Sequence, residues 1–127
     1  MALSKFQILA LFKDNLIKFL DALIEKLPQE RELITMRVLF SDQIPIETAM
    51  ERFSSRIIPY EDLINNSDES FIINNNNNDL FSGITSSKVS YMKKLWSSSS
   101  FTQDDKEELW KWFKIFLKLA KLYNSSL

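Results

Sequence analysis

The 127 residues, 45% of them hydrophobic and 26% charged, are enough to bury a core and are read as a single helical domain, 1–127. The chain has no Cys and no His, which excludes disulfides, thiolate nucleophiles, Cys/His zinc sites and every His-dependent triad. Its single Gly excludes a P-loop and a GxGxxG turn, and a net charge of −1 gives no global attraction to nucleic acid.

With one Gly and three Pro, positive-φ loops have almost nothing to draw on. That favours helices joined by short polar connections. The class expected is all-α, an irregular or orthogonal bundle of five to six helices with long N- and C-terminal ones. The first helix is expected over Ser4–Lys26, with Phe6, Leu9, Phe12, Leu16, Phe19, Leu20, Leu23 and Leu27 at helical spacing. Asp14 and Lys18 form a favourable i,i+4 pair, and Pro28 disfavours helical geometry at Leu27. Gln29 to Phe40 reads as a second helix, with Glu30 and Glu32 in its first turn. Its Leu33, Ile34, Met36, Val38, Leu39 and Phe40 cover most directions, so it is expected to be central and buried; the Val, Ile and Phe content makes a strand the competing reading.

Pro45 suits the first turn of a third helix to Ile57, whose core stripe is Ile46, Ala49, Met50, Phe53 and Ile57. Pro59 closes it and opens a short fourth helix, Tyr60–Asn65, docked by Leu63 and Ile64. Residues 67–83 form a polar, Asn-rich region: Phe71–Ile73 anchor it, and Asn74–Asn78 are expected to be an exposed, mobile loop, since a polar homopolymer buries nothing to offset its ordering entropy. Leu80, Phe81 and Ile84 pin its far end, and Gly83 suits a positive-φ turn. A fifth helix is expected over Lys88–Trp96, capped by Ser86 or Ser87, with Val89, Met92, Leu95 and Trp96 inward.

The last helix, Thr102–Tyr123, is the most strongly patterned. Thr102 is a natural N-cap, and Asp105 at N3 makes a capping box. Phe101, just before the cap, is placed to staple onto the stem of Lys106 or onto Trp110. Asp104, Asp105, Glu107 and Glu108 crowd the positive end of the dipole; Lys111, Lys114, Lys118 and Lys121 follow as one stripe. Leu109, Trp112, Phe113, Phe116, Leu119, Ala120 and Tyr123 form the core face, flanked by Trp110 and Leu117 on one side and by Ile115 and Leu122 on the other. The apolar arc is wider than a surface helix needs. Either the helix lies in a groove between others, or one flank meets a partner.

Four short pieces together resemble a family of short, uncharacterised proteins of nucleocytoplasmic large DNA viruses (giant viruses). They are Asn15-Leu-Ile-Lys-Phe-Leu-Asp21 with Leu23-Ile24-Glu25, Asp42-Gln-Ile-Pro-Ile-Glu47, Lys93-Lys-Leu-Trp96 and Glu108-Leu-Trp-Lys-Trp-Phe113. The asparagine run suits the A+T-rich genome of such a virus. The resemblance implies a viral origin and an intracellular setting, host cytoplasm or virion; it brings no activity and no site residues. The sequence agrees with that setting. Lys5 and Lys13 interrupt the first apolar run, so neither a signal peptide nor a spanning helix is expected.

The candidate chemistry is thin. The pairs Asp104/Asp105, Glu107/Glu108 and Glu61/Asp62 sit at or near helix starts, where the dipole alone accounts for them; a solvated turn accounts for Asp68/Glu69. No catalytic residue, cofactor, metal or small-molecule substrate is expected. Three uses remain for the last helix. Its lysine stripe, with Lys88, Tyr91, Lys93, Lys94 and Trp96, offers phosphate neutralisation and base stacking, but Arg, the main base reader, is absent after Arg56. Lysines opposite aromatics also suit a membrane surface, although the other helices need that aromatic face as core. A protein partner or homo-oligomer is the expectation preferred, with a contact surface drawn from Lys93, Trp96, Trp110, Lys114, Leu117 and Lys121.

Overall fold

The computed structural model describes residues 3–73, 96, 98, 99 and 101–126. Every regular element among them is helical: α1 (Lys5–Lys26), α2 (Arg31–Val38), a π-helical segment (Leu39–Gln43), α3 (Ile46–Ile57), a 3-10 turn (Ile58–Tyr60), α4 (Glu61–Asn65), α5 (Ser70–Ile73) and α6 (Gln103–Ser125). Among the described residues four helices have eight residues or more: α1, α2, α3 and α6. The asparagine run, the Gly83 turn and the helix expected over Lys88–Trp96 lie outside the described residues, Trp96 excepted.

Capping residues set the ends of the long helices. Ser4 caps α1, accepting from the Gln7 N–H, while the Gln7 side chain accepts from the Ser4 N–H. Thr102 and Asp105 make the expected box at α6: the Asp105 N–H donates to Thr102 Oγ1 at 3.2 Å and the Thr102 N–H to Asp105 Oδ2 at 2.9 Å. These boxes satisfy donors that a helix start otherwise leaves orphaned.

α1 and α6 lie side by side and antiparallel. Lys5 sits over the ring of Tyr123, Phe12 meets Phe116 at 5.9 Å, Phe19 meets Trp112 at 5.9 Å, and Lys26 Nζ reaches Asp105 Oδ1 at 2.9 Å. α3 covers one side of this pair by placing Phe53 5.5 Å from Phe12 and 5.4 Å from Phe116. Phe12, Phe19, Phe53 and Phe116 thus form an aromatic centre in tilted and edge-on contacts. α5 adds Phe71, which meets Tyr60 and Phe113.

Two expectations about elements are corrected. α2 is a helix and not a strand, but it is peripheral: Leu33 and Met36 are buried while Ile34 and Val38 are nearly half exposed. A helix of two turns packed on one side cannot bury four apolar directions. An ion pair between Arg37 and Asp21 ties it to α1. The chain then widens into the π segment, closed by Ile44 N–H donating to Leu39 O at 2.7 Å, which turns Phe40 into the core. The second correction is Phe6, which belongs to the α1 apolar spacing yet is 81% exposed. Ile8 is buried instead.

Candidate interaction surface

Of the six residues expected to form a contact surface, Lys93 lies outside the described residues. Three others are core. Trp110 is 7% exposed, Leu117 is 3% exposed and Trp96 is buried. The cause is packing on the α3–α5 side of α6: the Trp110 ring lies 5.7 Å from Trp96 and 6.4 Å from Phe71. Phe101, expected to staple onto Lys106 or Trp110, packs on Trp96 with ring centres 6.2 Å apart, and Lys106 lies 4.9 Å over the same indole. Its indole N–H has no hydrogen-bond partner among the described residues. Lys114 and Lys121 are exposed as expected. Lys121 Nζ contacts Glu61 Oε2 at 2.6 Å, tying α6 to α4; Lys111, Lys114 and Lys118 carry no ion pair among the described residues.

The exposed flank is the opposite one. Ile115 is 40% and Leu122 36% exposed, and Trp112 is half-buried. Together with buried Leu119 they fall at steps of 3, 4 and 3, the spacing of a helix–helix seam. α1 supplies a second row. Its side turned to α6 is Phe12, Phe19 and Lys26, and the next strip around the helix is Leu11, Asn15, Lys18 and Ala22. Leu11 is 41% exposed. Because α1 and α6 are antiparallel and α3 packs on one side of both, these two rows lie on the side of the pair away from α3, and among the described residues Leu122 also borders a depression with Lys118, Lys121, and Glu61 and Asn65 of α4.

A pocket opens where the last turn of α1 meets the first turns of α6. The walls there are Phe19, Ala22, Leu23, Phe101, Leu109 and Trp112; the rim is Glu25, Lys26, Asp105 and Glu108; the space enclosed is about 180 Å³. Asp105 is buried and well satisfied, so its carboxyl is held below the ordinary 3.8, first by the Thr102 N–H and then by Lys26. The Lys26 ammonium is raised above 10.5, mainly by its bond to Asp105, with Glu108 and Glu25 adding to the field. Glu25 and Glu108 are exposed and make no hydrogen bond or ion pair among the described residues.

Among the described residues no three His, Cys, Asp or Glu side chains gather to hold a metal ion, and no helix is long and apolar enough to cross a membrane. Comparison of the chain with models of protein families, with curated proteins and with solved structures finds no match.

Sequence reasoning found the Ile115–Leu122 flank as one of two and chose the other. Leu11 was missed. The available signal was the seam spacing on α6 together with a Leu on α1 that fits no buried stripe.

Proposed function

We propose that this is a non-catalytic protein-interaction or assembly protein, an irregular bundle of five to six helices that receives a partner's helix in the groove between α1 and α6. The observation that carries the reading is the exposure of Leu11, Ile115 and Leu122 on the side of the α1/α6 pair away from α3, with half-buried Trp112 beside Ile115 on the same strip of α6. An amphipathic helix laid there would extend the seam already spaced on α6 and remove those side chains from water. Aromatic anchors such as Trp112 are typical of interface hot spots. The non-catalytic part of the reading rests on a chain without Cys or His. A viral setting, host cytoplasm or virion, belongs to the same proposal and rests on the quoted motifs.

Capture from source or infected cells tests it. The wild-type chain is expected to retain a specific partner, or to dimerise by light scattering, and Ile115→Glu with Leu122→Glu is expected to abolish this while keeping the melting temperature. A strictly monomeric protein that retains no partner, or capture that survives the double substitution, overturns it.

A second reading has its own observation: Lys111, Lys114 and Lys118 are exposed on one face without ion pairs among the described residues. Such a stripe suits a peripheral membrane-surface or nucleic-acid-associated protein. Sedimentation with anionic liposomes, or a DNA or RNA shift that fades steeply with salt, is the expected outcome of that reading. Absence of both at low salt removes it.

A further inference from the structure

The pocket where α1 meets α6 is unlike the surface beyond it, and its difference is chemical. The rows beyond it carry Leu11, Asn15 and Lys18 on α1 and Ile115 and Leu122 on α6, whereas the pocket combines aromatic walls with a carboxylate rim. Its enclosed space of about 180 Å³ falls short of the roughly 300–1,000 Å³ typical of small-molecule sites, and is on the scale of one long side chain. Four charged side chains form the rim: the carboxylates of Glu25, Asp105 and Glu108 and the ammonium of Lys26. Asp105 is committed to the Thr102 N–H and to Lys26. Glu25 and Glu108 lie within the field of Lys26 but make no hydrogen bond or ion pair among the described residues, so the rim carries more acid than base.

We propose that this pocket seats one arginine or lysine side chain of the partner helix that occupies the groove, which makes the partner an amphipathic helix bearing a cation on its buried edge. The proposal rests on the groove reading above and adds the chemistry of the occupant. Phe19, Leu23 and Leu109 offer an apolar channel for an aliphatic stem, which long basic side chains bury while their heads stay polar. The indole of Trp112, half-buried at the mouth, attracts a cation by its ring quadrupole. Glu25 and Glu108 are positioned on the rim to receive the head group, and a guanidinium can meet a carboxylate with two parallel N–H donors. The same rim already holds a cation of the chain itself, since Lys26 lies 2.9 Å from Asp105 within the field of both glutamates. The C-terminal dipole of α1 favours a cation here; the N-terminal dipole of α6 opposes it and is countered by Asp104 and Asp105. An acidic or phosphorylated side chain would meet like charge at every uncommitted group.

The probe is n-butylguanidinium, with n-butylurea as its neutral analogue of the same shape, each titrated into the ¹⁵N-labelled full chain. Butylguanidinium is expected to shift the Trp112 indole N–H and the amides of Ala22 and Leu109, with butylurea at least about tenfold weaker. Glu25→Gln with Glu108→Gln changes two exposed groups that make no hydrogen bond or ion pair among the described residues. It is expected to leave the melting temperature unchanged and to cut butylguanidinium affinity by about tenfold. Trp112→Leu is expected to cut it by about threefold or more. Equal binding of the urea, absence of these shifts, or undiminished affinity in the double-Gln variant overturns the proposal. Partner capture discriminates it from the reading beneath it. Capture that survives Glu25→Gln/Glu108→Gln overturns the cation seat and leaves the groove standing. Capture lost in that variant as well as in Ile115→Glu/Leu122→Glu supports both.

Discussion

At the scale of single residues, the scarcity of glycine has a visible consequence at Ser67. It adopts φ 50°, the left-handed region, at the end of α4. There the Asp68 N–H donates to Leu63 O and the Ser67 N–H to Ile64 O, the two bonds of a Schellman stop, with serine at the position that glycine favours. A side chain in that region costs about 1 kcal/mol or more. Ser67→Gly is therefore expected to stabilise the protein by about 0.5–1 kcal/mol, read by urea unfolding; a neutral or destabilising result would show that the hydroxyl has an uncounted contact. Phe6 and Phe12 make a paired prediction. Both belong to the apolar spacing of α1, but one is 81% exposed and the other fully buried in the aromatic centre. Phe12→Ala is expected to cost about 3–5 kcal/mol and Phe6→Ser to stay within about 0.5 kcal/mol. Equal losses at the two positions would mean that Phe6 is covered in solution. A step of six positions puts the two rings about 120° apart around the helix, yet i,i+3 steps through Leu9 list both, so only packing separates them.

At the scale of elements, the sequence was most informative where one feature dictates one outcome. The α6 start is fixed by Thr102 and Asp105, and both reciprocal bonds are present. Thr102→Ala is expected to cost about 1 kcal/mol, visible as a fall of a few degrees in melting temperature, with Thr102→Ser largely restoring it. An unchanged melt would show that Asp105 and Lys26 hold the helix start without the cap. The third helix was legible for the same reason: Ala49, Met50, Phe53 and Ile57 all face inward as spaced. Legibility failed where the apolar arc exceeded the surface available to cover it. In α2, Ile34 and Val38 look like core from sequence, yet a short helix leaning on α1 leaves them outside. In α6 the buried arc runs from Leu119 and Trp112 round to Leu117 and Trp110, about half the circumference. Which edge stays open depends on where α3, α4 and α5 pack. A wheel drawn for one helix contains no information about that, and for this reason Trp110 and Leu117 were placed on the surface.

At the scale of the whole molecule, the α1/α6 pair is closed at both ends by charge, and this gives the fold a defined pH window. At one end Asp105 joins Lys26; at the other Lys5 pairs with Glu47 at 2.7 Å while the buried Tyr123 hydroxyl donates to Glu47 at 3.4 Å. Both carboxyls are depressed in the fold, Asp105 by the Thr102 N–H and Lys26, and Glu47 by its bond to Lys5. A depressed carboxyl contributes stability that is present above its ordinary value, 3.8 for Asp105 and 4.5 for Glu47, and lost as pH falls through the folded value. On the alkaline side, Lys5 and Lys26 are raised above 10.5 by their carboxylate partners, and Tyr123 is raised above 10.0, first by burial. A raised group contributes stability that is present below its ordinary value and lost as pH rises through the folded one. Unfolding free energy is thus expected to be flat through the neutral range, to fall on the acid side below those carboxylate values, and to fall again on the alkaline side above the tyrosine and lysine values. Asp105 is the buried member of the acid pair, whereas Lys5–Glu47 is exposed and screened. Asp105→Asn is therefore expected to flatten the acid limb more than Glu47→Gln does, measured by urea unfolding from pH 2.5 to 7. If Glu47→Gln flattens the limb more than Asp105→Asn does, the closure that matters is the one at Tyr123, and the cap at α6 is a lesser constraint on the pair.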